Sequence, residues 1–246
     1  MKTGIQIVFL VSLFLNSLHA NSQDLTVYLI PGMGTDQRIM AGFDFGENVK
    51  HVLVEWPENA MEHEGLKGLA RSIATQIDTT QKFILLGVSM GGMLSMELTQ
   101  IVNPEAVILV SSVKSSKELP FKYKLGRVIP LHLLLTEKRL IKKAENEKTW
   151  REIESEELRN LYADMLKKCG SRFLKWQMSS IVNWKFKDQK VPCEIFHIHG
   201  DYDKVLPMRK TSANRVISGA THKLIANGRD VIQMEVRKFI SSEKFN

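Results

Sequence analysis

Gly87-Val88-Ser89-Met90-Gly91, with Gly92 behind it, is the stretch of this 246-residue chain best suited to chemistry. It follows an apolar run, Lys82-Phe83-Ile84-Leu85-Leu86, that reads as a buried strand. It precedes a helical pattern that begins at Met93-Leu94-Ser95-Met96-Glu97-Leu98. Strand, G-x-S-x-G and helix in that order place the serine on a turn too sharp for ordinary neighbours. A Cβ two residues to either side would collide with the adjoining strand or helix, so glycine is required there. Such a turn pushes Ser89 Oγ into the open near the positive end of the following helix. A serine hydroxyl is a poor nucleophile at neutral pH, so attack on a carbonyl needs a base in contact and a carboxylate to orient that base.

A second constellation competes with this one. His197-Ile198-His199-Gly200-Asp201 is an H-x-H-x-D run, and strand alternation would put both histidines on one face. A zinc site needs three or four converging ligands with outer-shell support. The only later histidine is His222, and a metal-dependent hydrolase built on His197, His199 and Asp201 would leave the serine turn without a purpose. No metal and no cofactor is therefore expected.

The elements that must hold these groups are strands and helices in alternation. Leu25 to Ile30 reads as a strand stopped by Pro31-Gly32, and His51 to Val54 as a second, closed by Trp56-Pro57. A helical stretch runs from about Leu66 to Ile77, then comes the strand before Ser89. Ala106 to Val110, Glu194 to His199 and Arg215 to Ile217 supply further strands, and His222 to Phe239 a closing helix with loose turns around Asn227-Gly228. Most runs are continuously apolar, which suits parallel strands covered on both faces by helices. Between Lys114 and about Gln189 strand-like runs vanish and helix formers take over, with Trp150, Trp176 and Trp184 among them. A helical block between two strands reads as an insertion at the sheet's loop edge.

With three separated motifs in the order serine, acid, histidine, the chain resembles the α/β-hydrolase family over nearly everything after residue 20. Ser89 matches the nucleophile. His199-Gly200-Asp201-Tyr202-Asp203-Lys204-Val205-Leu206-Pro207 matches the loop that carries the acid, and Gly219-Ala220-Thr221-His222 the loop that presents the base. The resemblance implies an α/β fold of about six mostly parallel strands flanked by helices, with a helical lid at about 114–190. It implies His222 as base and Asp203 as its carboxylate, three residues after the glycine that ends the strand, with Asp201 as the alternative one register away. It also implies an oxyanion hole from the Met90 N–H and from Met33 N–H in the loop after the first strand. The family commonly has His-Gly in that loop, where this chain has Pro31-Gly32, so the histidine that usually braces it is missing. The β-hairpin that usually precedes the first strand is missing too, hence six strands rather than eight. The activity implied is that of a lidded serine hydrolase cleaving an ester or thioester. A noncatalytic small-molecule-binding protein on the same fold is the reading from another class.

Composition bounds the rest. Residues 1–20 have the three parts of a cleavable signal peptide: Lys2, the apolar run Ile5 to Leu15, and Leu18-His19-Ala20. Export to a secreted or periplasmic location is expected, with a mature chain from residue 21 and no stable membrane span. The net charge of +7 becomes +6 without Lys2, and much of the excess lies between Lys114 and Lys148. A solvated helix face accounts for such a run, attraction to anionic surfaces or acidic substrates being the sharper alternative. No nucleic-acid module accompanies these lysines, so no nucleic-acid partner is expected. Cys169 and Cys193 permit one bridge in an oxidising compartment, or two buried free thiols. The Trp and Met content of the insertion suits apolar pocket walls, hence a lipophilic acyl substrate, or merely holds the insertion's own helices together. The sequence assigns no oligomeric partner.

Overall fold

The computed structural model describes residues 25–187 and 191–242. The expected leader at 1–20 lies outside the described residues. Six strands make one sheet: β1 (Leu25–Ile30), β2 (Val49–Leu53), β3 (Phe83–Val88), β4 (Ala106–Val110), β5 (Glu194–Gly200) and β6 (Arg215–Ile217). Their order is β2-β1-β3-β4-β5-β6, and every pairing is parallel. The direction of winding reverses between β1 and β3, and a crevice opens beyond the carboxyl ends of strands at such a point. Ile30 pairs with Gly87, so the loops leaving β1 and β3 start side by side there.

Alternation along the strands feeds two cores, one on each face of the sheet. On one face Val27, Leu29, Ile84, Leu86, Ile108 and Ile198 pack with Ile232, Val236 and Ile240 of the closing helix. On the other, Tyr28, Ile30, Leu85, Val107 and Leu109 pack under the helices α1 (Gly65–Ala74) and α2 (Met90–Leu98). Helix α1 presents Leu66, Leu69, Ala70 and Ile73, the i, i+3, i+4, i+7 stripe of an amphipathic helix. Helix α2 is buried along its whole length, as its apolar sequence requires.

The insertion between β4 and β5 is a helical cap of α3 (Phe121–Leu125), α4 (Glu137–Glu145) and α5 (Glu156–Val182). Helix α5 is two helical arms joined at Gly170, whose φ of 68° and ψ of 159° are far from helical. Trp150 and Trp184 are buried: Trp184 ties the cap to the body, its Nε1 donating to Glu97 Oε1 at 2.8 Å, whereas Trp150 Nε1 donates to Ala144 O within the cap. Trp176 is half-buried and stacks on Phe173, which meets Trp56 edge-on. The lysines of the 114–148 segment sit on solvated faces. Exposed apolar side chains lie among them, Phe121 at 75% and Val128 at 78% exposure.

Two expectations need correction. The strands are not all covered on both faces: Lys50, His51 and Val52 of β2, and Arg215 and Val216 of β6, are exposed because these strands form the sheet edges. The second strand begins at Val49 rather than His51. The closing helix is interrupted at Gly228, where loose turns are expected, into α6 (Leu224–Asn227) and α7 (Arg229–Ile240). Cys169 and Cys193 are free, half-buried thiols. Burial, followed by nearby carboxylates, pushes Cys169 up to about 12 and Cys193 up to about 11, so neither is a thiolate nucleophile near neutral pH. Among the described residues no helix is long and apolar enough to cross a membrane.

Candidate active site

Ser89 sits between β3 and α2 with φ 53° and ψ −114°, one of two non-glycine residues with positive φ among those described. That backbone is expensive for an L-residue and persists only where its surroundings enforce it. Here they do. Ser89 N–H donates to Val110 O at 3.0 Å, and Ser89 O accepts from Gly92 N–H, Met93 N–H and Ser112 Oγ, the last at 2.6 Å. A Cβ on Gly87 would lie 2.5 Å from Gly92 N, and one on Gly91 2.5 Å from Pro31 O while overlapping Ile30 O. The two glycines are thus the condition for the turn, and Ser89 emerges half-buried at the start of α2.

The loops after β5 and β6 bring two partners to it. His222 Nε2 lies 3.1 Å from Ser89 Oγ, and His222 Nδ1 lies 2.7 Å from Asp203 Oδ2. An ionised carboxylate can only accept, so Nδ1 carries the proton and the Nε2 lone pair faces the hydroxyl. Asp203 is buried, which by itself would raise its carboxyl. Hydrogen bonds from His199 and His222, the electrostatic attraction of the His222 ring and the Leu206 amide outweigh that burial and hold it well below the usual carboxylate range. Asp203 Oδ1 accepts from the Val205 and Leu206 amides, both at 2.8 Å, so the carboxylate is fixed at both oxygens. Asp201 is exposed and accepts instead from Gly219 N–H at 2.7 Å, tying the acid loop to the histidine loop.

The histidines of the H-x-H run bond to each other and to the acid loop. His199 Nε2 lies 2.8 Å from Leu206 O and 3.2 Å from Asp203 Oδ2. Both partners are acceptors, so that nitrogen is protonated and His199 Nδ1 accepts from His197 Nε2 at 2.9 Å. His197 and His199 are both fully buried, and among the described residues no group of three or more ligand-type side chains could hold a metal ion. A zinc reading of His197, His199 and Asp201 therefore has no donor set: the two rings face each other and Asp201 points elsewhere. What the sequence pattern concealed is a bracing role, with His199 supporting the carboxylate that orients His222.

The remaining predicted positions lie around the same point. A Cβ on Gly32 would be 3.5 Å from Ser89 Cβ, so the Pro31–Gly34 loop passes directly against the serine. Met33 on that loop is half-buried, and Met90 begins α2 one residue after Ser89. Two cap residues near the site had no sequence signal. Tyr123 lies close enough to Asp203 that burial, and then the carboxylate's charge, push its hydroxyl up to about 12. Gln177 of α5 is fully buried, and its Oε1 accepts from Gly34 N–H at 3.0 Å. A glutamine in a lysine-rich helix reads as surface, which is why pattern alone passes over it.

No family model and no curated protein matches the chain by sequence. Solved structures do match over nearly its full length. MenH from S. aureus is 12% identical with a TM-score of 0.69, covering 92% of this chain and 97% of its own. The esterase RhEst1 from Rhodococcus sp. ECU1013 is 16% identical with a TM-score of 0.63, covering 90% and 92%. RedJ, a thioesterase from the prodiginine biosynthetic pathway of Streptomyces coelicolor, is 15% identical with a TM-score of 0.63, covering 88% and 86%. At such identities the likeness lies in the path of the chain, with its reversed parallel sheet and its helical insertion after β4, and that path is the α/β-hydrolase fold.

Proposed function

We propose that this protein is a serine hydrolase that cleaves a carboxylic ester or thioester through an acyl-Ser89 intermediate. The observation that carries the reading is the unbroken chain from Ser89 Oγ to His222 Nε2 at 3.1 Å and from His222 Nδ1 to Asp203 Oδ2 at 2.7 Å. Nothing in folding requires a serine with φ 53° to face an imidazole held by a buried carboxylate. Acyl transfer does require it.

Ser89 Oγ attacks the carbonyl carbon while its proton passes to His222 Nε2. Asp203 stabilises the imidazolium without taking the proton. The carbonyl oxygen, now an oxyanion, accepts from the Met90 and Met33 amides, each such donor contributing about 3 kcal/mol to the barrier reduction. Collapse expels the alcohol or thiol with the proton from His222. Water then repeats the sequence against the acyl-serine, giving the free acid and restoring the hydroxyl. The half-buried aromatic side chains Trp56, Phe173 and Trp176, where the cap meets the body, favour a lipophilic acyl group. The three-part pattern of residues 1–20 supports export, and the mass of the mature protein tests it: a chain starting at residue 21 agrees, one retaining Met1 does not.

Turnover of a panel of esters and thioesters by wild type and Ser89→Ala tests the mechanism. The variant should lose on the order of 10³-fold or more in kcat with its fold intact. Comparable turnover by both would end the serine reading. Tight binding of acyl ligands by wild type without any turnover would favour the binding protein on the same fold.

A further inference from the structure

The segment that follows β1 is gripped by the cap. Both arms of α5 reach it: from the first, Asp164 pairs with Arg38 at 2.6 Å and Met165 Sδ accepts from Asp36 N–H at 3.5 Å. From the second, Gln177 Oε1 accepts from Gly34 N–H across 143 residues of sequence. Gly34 has φ +72°, and a Cβ there would lie 3.3 Å from Leu166 and 3.5 Å from Leu174, so glycine lets the loop present its amide to the cap at close range. The loop has no histidine at residue 31 to brace it from below, since Pro31 stands there.

The other end of Gln177 is unfinished. The bond from Gly34 N–H fixes which end of the amide is oxygen, so Nε2 with its two N–H groups is at the opposite corner. Nε2 is buried and has no hydrogen-bond partner among the described residues. A buried donor left without a partner costs about 1–3 kcal/mol, a cost that an acceptor arriving with a ligand removes.

We propose that Gln177 is a positioning residue that joins substrate recognition in the cap to the oxyanion loop. Its Oε1 holds Gly34, and with it the Met33 amide, in place against Ser89. Its Nε2 donates to an acceptor oxygen on the acyl chain of the bound substrate. The preferred substrate is then an acyl ester or thioester bearing a carbonyl or hydroxyl oxygen along the chain, rather than a plain alkanoyl one. This rests on the hydrolase reading and narrows its substrate class.

Two measurements test it, with rates counted per active site by titration with an irreversible serine-directed phosphonate so that misfolded protein does not enter. The first compares wild type with Gln177→Met, close in size but without either polar atom, on a plain alkanoyl ester. Loss of the loop's anchor should lower kcat on the order of tenfold to a hundredfold, with KM within about threefold, because the loop matters to the transition state more than to the bound substrate. A purely structural role would lower the number of titratable sites and leave kcat per site unchanged, which would overturn the proposal. The second needs only wild type: one carbonyl is moved methylene by methylene along the acyl chain. One position should give kcat/KM about fivefold or more above the plain chain, as one added neutral hydrogen bond allows. The preference should vanish in Gln177→Met. A flat series in wild type, or one equally peaked in the variant, would refute it. A wild type that cleaves no ester at all removes the hydrolase reading and this one together, whereas a working wild type matched by Gln177→Met removes only this one.

Discussion

Asp203→Asn exchanges one oxygen for an NH2 group and changes almost no volume, yet the structure makes it a severe change. Oδ1 accepts from two backbone amides at 2.8 Å, and Oδ2 accepts from His222 Nδ1 at 2.7 Å and lies 3.2 Å from His199 Nε2. If the asparagine keeps its oxygen toward Val205 and Leu206, its NH2 faces a protonated imidazole nitrogen. His222 must then move its proton to Nε2 so that Nδ1 can accept. That tautomer points N–H at Ser89 Oγ, and the base is gone. If the amide turns over instead, its NH2 meets the two backbone N–H groups, leaving buried donors unpaired at about 1–3 kcal/mol of stability. The first arrangement costs less, because His199 Nε2 retains Leu206 O as acceptor. The expected result is a folded protein with kcat lower by on the order of 10⁴-fold at neutral pH. Asp201→Asn, which disturbs one exposed bond to Gly219 N–H, should stay within about threefold of wild type. Steady-state hydrolysis of a chromogenic ester, with circular dichroism to verify folding, makes the comparison. An Asp203→Asn enzyme within tenfold of wild type, or an Asp201→Asn enzyme that fails equally, would refute this assignment of the carboxylate.

Two further predictions concern the scaffold. Gly91→Ala gains about 1 kcal/mol of helix propensity in α2 but drives a Cβ into the carbonyl oxygens of Ile30 and Pro31, a backbone overlap that costs more than it gains. Urea denaturation should show a net loss of about 1–3 kcal/mol; an unchanged or higher midpoint contradicts the packing described for the turn. Burial, followed by His199 and Lys114, depresses His197 to about 3, whereas in the unfolded chain it returns to about 6.5. Between those values the unfolded chain binds a proton that the folded chain refuses, so stability falls as pH drops, by on the order of 1 kcal/mol per pH unit at most. His197→Gln should show a shallower loss of stability than wild type from pH 6 to pH 4; equal slopes would contradict a neutral buried His197.

The serine turn was legible because its requirements are steric: glycine at 87 and 91 is demanded by the close approach of β3, α2 and the end of β1, whatever surrounds them. The interior strands were legible for a related reason, as Ala106–Val110 is apolar throughout and buried throughout. The edge strands were read as strands too, Arg215–Ile217 at its observed bounds, but their solvated faces were not, because a short run does not say that a strand has only one neighbour. The choice of Asp203 over Asp201 needed the family's register. Two aspartates two residues apart look alike in sequence, and only the turn closed by the Val205 and Leu206 amides turns one inward. The cap was legible as helical and no further. Its bend rests on the backbone conformation of one glycine, Gly170, and the reach of Gln177 to Gly34 joins residues 143 positions apart, which composition does not encode. The H-x-H run left a metal alternative to weigh because alternation places two rings on one face equally well whether they bind an ion or each other.

An alkyl fluorophosphonate reacts only with a hydroxyl made nucleophilic by its neighbours, and peptide mass spectrometry locates the adduct. Wild-type protein should carry one phosphonyl group, on Ser89, and His222→Ala should label on the order of a hundredfold more slowly. A wild type that stays unmodified, an adduct on another residue, or equal rates with and without the imidazole would contradict the claim that His222 and Asp203 activate Ser89.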